Sequence, residues 1–67
     1  MTRDEWITGF AAELGVDPPD AATVETLLAL AGTAAHASER TAAPIACYLA
    51  GLAGRDPAQA AALAEGV

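Results

Sequence analysis

The chain has no lysine, one histidine, one cysteine, and one each of tryptophan, tyrosine and phenylalanine. Each scarcity excludes something. With Cys47 as the only thiol, no intramolecular disulfide can form, and a short chain without disulfides is expected in the cytoplasm. A structural zinc takes four ligands, usually Cys or His. One of each falls short, and the spacing of Glu25 and Glu39 does not complete a set, so neither a metal site nor a cofactor is expected. Three arginines against nine carboxylates give a net charge of −6. That disfavours nucleic acid, which needs several cationic phosphate contacts, and anionic membrane surfaces alike. No apolar run approaches the ~20 residues that cross a bilayer. The opening Met1-Thr2-Arg3-Asp4-Glu5 is acidic, unlike the basic start of an export signal. Strand-like alternation, internal repeats and a second composition block are all missing, so residues 1–67 read as one domain.

What is there is alanine, 19 of the 67 residues. Alanine is the best helix former but contributes little to a core. Four helices follow from the punctuation. Thr2 and Glu5 have the spacing of a capping box, and Trp6, Ile7, Phe10 and Leu14 then recur on one face up to Gly15, a left-handed stop. Two readings apply to Trp6 and Phe10 at i and i+4: anchors for a partner, or, as their alignment with Leu14 and the bulk they supply favour, part of the core. Pro18-Pro19 makes a stiff connector. Asp20 or Thr23 caps a second helix, whose apolar stripe is Val24, Leu27, Leu28, Ala31 and Ala35. Leu30 lies roughly 100° off that stripe and faces either a second neighbour or solvent. Gly32 interrupts this helix, as close helix packing would require. The segment ends near Ser38-Glu39-Arg40. Pro44 opens a third helix, with Ile45, Tyr48, Leu49 and Leu52 as its core face, Cys47 on the opposite side, and Gly54 as its stop. Asp56-Pro57-Ala58-Gln59 starts a short fourth helix to about Glu65, anchored by Leu63. The expected fold is all-α, a compact bundle of four short helices with the last one short.

Little in this pattern carries chemistry. If the second helix continues, Gly32, His36 and Arg40 lie along one edge at four-residue intervals. Two readings follow: a small-anion or partner contact beside the bare Gly32 shelf, or a helix end at which His36 and Arg40 answer carbonyls and the dipole. A thiol nucleophile would need Cys47 within reach of His36 and a third group to orient the base. The faces assigned to the helices do not bring them together. Enclosing an active-site pocket also strains a chain of this length, so no catalytic residue is assigned and no enzyme is expected. The only serine, Ser38, lacks the preceding aspartate on which acyl-carrier modules mount their prosthetic arm.

Residues 27–54 carry a resemblance. Leu27-Leu28-Ala29-Leu30-Ala31, Ala35-His36, Arg40, Ala43-Pro44-Ile45 and Leu49-Ala50-Gly51-Leu52-Ala53-Gly54, with Trp6 and Glu13-Leu14-Gly15 ahead of them, resemble a small bacterial domain of unknown function. That domain occurs alone or fused to molybdenum-cofactor guanylyltransferase-like (molybdopterin-guanine dinucleotide biosynthesis) proteins. Thr41 stands where that family often has proline, and Ala46-Cys47 where it has hydroxyl residues. The resemblance implies a non-catalytic accessory or interaction module that binds a protein partner or itself. It also implies a link to molybdenum-cofactor biosynthesis or formate dehydrogenase maturation. The nucleotide-transfer chemistry belongs to a separate domain with a glycine-rich loop that this chain lacks. The alternative is a small anionic-ligand or cofactor-binding domain using the Gly32, His36 and Arg40 edge.

Overall fold

A computed structural model describes residues 1–67 as four helices: α1 (Arg3–Leu14), α2 (Ala21–Ala37), α3 (Ala42–Ala53) and α4 (Pro57–Ala64). The arrangement is a compact all-α bundle in which α4 is the shortest element, as the sequence punctuation predicts.

The helix ends follow local chemistry. The Glu5 backbone N–H donates to Thr2 Oγ1 at 3.1 Å, and the Thr2 N–H donates to Glu5 Oε1 at 2.9 Å. The capping box is therefore complete and satisfies two of the amides that a helix start leaves unpaired. Gly15 ends α1 at φ 76°. Its N–H donates to the Ala12 carbonyl and that of Val16 to the Ala11 carbonyl, the paired closure that favours a residue without Cβ. Asp20, rather than Thr23, caps α2: Thr23 N–H donates to Asp20 Oδ1 at 2.7 Å. Asp56 precedes Pro57 at the start of α4, but its side chain makes no capping hydrogen bond. Only its carbonyl is engaged, by the Ala60 N–H.

α2 ends at Ala37 with Ser38 as its C-cap, at the near edge of the expected stop. One boundary differs from the sequence expectation: α3 begins at Ala42, two residues before Pro44. Pro44 is thus the third residue of the helix. The position tolerates it because the first four amides of a helix have no partner within the helix. Residues 38–41 form the junction, where Ala42 N–H donates to the Glu39 carbonyl and Ala43 N–H to that of Arg40.

α2 is the central helix, packed against both α3 and α4, while α1 adds only sparse packing. Only two residues are buried, Ala11 at 5% exposure and Leu30 at 3%. Leu30 faces its second neighbour: it lies at the floor of the groove between α3 and α4, beneath Leu49, Ala50, Ala53 and Leu63. An off-stripe leucine is buried here because the central helix has neighbours on two sides. Leu28, assigned to the stripe, is instead about half exposed.

Candidate functional site

The orientation of α3 departs most from the sequence expectation. Its half-buried residues are Ala42, Ala43, Ala46, Cys47 and Ala50. Cys47 turns inward, with Sγ 4.0 Å from the Leu27 carbonyl of α2. The expected core face is the outer face: Ile45 is 59% exposed, Tyr48 65%, Leu49 55% and Leu52 69%. Alanine methyls let two helix backbones approach closely, and well-matched close contact gains dispersion energy. The larger side chains on the other side of α3 are left facing water. Their spacing, i, i+3, i+4 and i+7, is that of a helix-packing stripe, and no helix of this chain covers it.

α1 behaves similarly. Trp6 and Phe10 are 56% and 49% exposed and lean on each other with ring centroids 5.0 Å apart. They form an exposed aromatic pair rather than the expected core. The inward side of α1 is carried by Ala11 and the half-buried Ile7.

These exposures add up. The chain presents 5060 Å² of accessible surface at a mass of 6.7 kDa. The size scaling for folded monomers gives roughly 3,900 Å² for that mass. Roughly 1,100 Å² more than expected is therefore in solvent.

The edge predicted from Gly32, His36 and Arg40 is divided by the end of α2. Gly32 is half-buried within the helix, His36 is exposed in its last turn, and Arg40 lies in the junction beyond it. Four-residue helical periodicity therefore does not extend to Arg40. Nor does His36 cap α2. The Ser38 hydroxyl donates to the Ala34 carbonyl at 2.9 Å, joined by the Ser38 N–H at 3.2 Å. Neither His36 nor Arg40 takes part in a side-chain hydrogen bond or an ion pair, and the single ion pair is Arg3 to Asp4. A Cβ built on Gly32 meets nothing within 4 Å. Close packing does not explain this glycine; it leaves open space.

No three or more His, Cys, Asp or Glu side chains stand together as a metal set, and no helix is long and apolar enough to cross a membrane. Two carboxyls sit below their ordinary range, both at helix starts. Glu5 is lowered by the Thr2 backbone N–H and then by the Thr2 side chain. Asp20 is lowered by hydrogen bonding to the Thr23 side chain and then to its backbone N–H. Both shifts belong to capping.

The model of the domain of unknown function DUF6457 matches residues 1–67. The chain belongs to that family. No curated protein and no solved structure matches it. Membership in DUF6457 agrees with the resemblance read from residues 27–54 to a domain of unknown function.

The residues that sequence reasoning missed are those of the outer α3 stripe. One signal could have exposed them: residues 41–54 contain no Asp, Glu, Lys, Arg or His, although the chain is strongly acidic. A helix without a polar face cannot be oriented by polarity, and side-chain size alone does not rank its faces.

Proposed function

We propose that this small helical domain is a non-catalytic accessory or interaction module whose role is to bind protein through an outward apolar helix face. The supporting observation is the stripe Ile45, Tyr48, Leu49 and Leu52, exposed while alanines of the same helix face inward. Large exposed apolar patches are uncommon on monomers and mark interaction sites. The finer reading links the domain to molybdenum-cofactor biosynthesis or formate dehydrogenase maturation in the cytoplasm. Its support is the resemblance across residues 27–54. The test is co-purification of the chain with a molybdenum-cofactor guanylyltransferase from the same organism, comparing the native sequence with Leu49→Glu. Retention by the native chain and loss by the variant is expected. Retention of neither chain would remove the molybdenum link.

A second reading is a small-anion contact at Gly32, His36 and Arg40. What favours it is that both side chains are solvent-exposed and engaged in no hydrogen bond or ion pair. Titration with inorganic phosphate and molybdopterin nucleotides, followed by NMR at His36 and Arg40, tests it. Unchanged resonances at millimolar ligand would end this reading.

A further inference from the structure

Accepting that the outer face of α3 binds protein, we infer that its occupant is a second copy of this chain, with α3 packed antiparallel on α3 across a two-fold axis near Tyr48 and Leu49. Three observations select that occupant. The first is area. The stripe adjoins the apolar groove between α3 and α4 as one surface, and a specific interface needs about 800 Å² from each partner, so with α1 outside the contact these two helices together supply it.

The second is charge. Any copy carries the same net charge of −6, so a self-contact must avoid carboxylates on both sides. Residues 41–54 contain none, and neither does α4 from Pro57 to Ala64. The acidic residues lie in α1, the connectors, the start of α2 and the ends of α4. A basic partner would be met by acidic side chains, which the stripe lacks. A like-charged partner requires a bare apolar face.

The third is shape. An isologous interface needs projections and recesses on the same patch. The stripe supplies the projections. Immediately beside it runs the groove between α3 and α4, where Leu49, Ala53, Leu63 and Val67 stand above Leu30. Antiparallel pairing about residues 48 and 49 sets Ile45 against the partner subunit's Leu52, and the reverse, at matching positions along the stripe. Gly51, at whose Cβ position nothing lies within 4 Å, leaves room beside the contact. The aromatic pair of α1 is outside this patch and takes no part.

The test is sedimentation equilibrium on the intact chain from about 1 to about 200 μM, alongside Leu49→Glu and Phe10→Glu. Native chain and Phe10→Glu are expected to sediment as dimers at the upper concentrations. Leu49→Glu loses one buried leucine per subunit and is expected to weaken association about 100-fold or more. A second measurement does not depend on that variant folding. On a Cys47→Ser background, Tyr48→Cys is expected to oxidise to a covalent dimer, because the two-fold axis brings that position beside itself, whereas Phe10→Cys is not. A native chain that stays monomeric at every concentration, with helical circular dichroism intact, would overturn the second copy as occupant. It would leave the broader binding role to the co-purification experiment. A native dimer that persists in Leu49→Glu, or that is lost in Phe10→Glu, would overturn the placement on α3.

Discussion

Truncating Leu30 to alanine removes the one large side chain that the chain buries nearly completely. Of its surroundings, Ala46, Ala50, Ala53 and Ala60 are small groups on helices that cannot move in to fill the space, and Leu49 and Leu63 stand at the rim. Loss of a buried leucine costs about 2–5 kcal/mol, depending on how far the site collapses. The two rim leucines are half exposed and can lean inward, so about 3 kcal/mol is the expected cost. A domain of this length has roughly 3–10 kcal/mol in total, so one substitution removes a large share. The midpoint of thermal unfolding should fall by roughly 12–24 °C. Thermal and urea melts followed by circular dichroism measure it. Leu30→Val, which removes less, keeps the measurement in range at about 1 kcal/mol. Leu14→Ala on the exposed side of α1 is the control and should change stability by less than about 0.5 kcal/mol. If Leu30→Ala costs no more than Leu14→Ala, the burial of α2 beneath α3 and α4 is wrong.

Other consequences follow from the same geometry. Gly54 sits at φ 68° with open space around it, so Gly54→Ala should lose about 1–2 kcal/mol from backbone strain alone. Gly32 and Gly51 are helical and equally unobstructed. Alanine at either should stabilise by about 0.5–1 kcal/mol in urea melts, and at Gly32 it would also weaken any anion contact with His36. Cys47 faces α2, so its reaction with a thiol reagent should be several-fold slower in the folded chain than in urea. An equal rate would place it outside. Glu5 and Asp20 have folded values below the ordinary carboxylate range. Their contribution is complete above the unfolded values, near pH 4, and is lost as pH falls through the lower folded ones. Thermal stability should therefore hold from about pH 8 to 5 and decline below about pH 4, less steeply in Asp20→Asn, which still caps.

The parts of the fold legible in the sequence are those decided within a few residues. Thr2 and Glu5 find each other because a helix start leaves amides unpaired. Asp20 caps for the same reason, and Gly15 and Gly54 stop their helices because they adopt the left-handed backbone. Element number and order follow from that punctuation. The facing of α3 is a tertiary choice. Its sequence AAPIACYLAGLA is apolar on every side, so periodicity offers two candidate faces and close packing of the alanines against α2 selects one. The proposed edge at Gly32, His36 and Arg40 failed as a continuous helix edge because spacing says nothing about where a helix stops. Ser38 closes α2 one residue after Ala37, and Arg40 falls beyond it.

The most direct test of an outward-facing α3 stripe is methyl NMR with a soluble paramagnetic probe, recorded over a dilution series. The methyls of Ala43, Ala46 and Ala50 should be shielded at every concentration. Those of Ile45, Leu49 and Leu52 should be broadened in dilute solution and become shielded as copies associate. Leucine methyls shielded at the lowest concentration, with the alanine methyls exposed, would contradict the account.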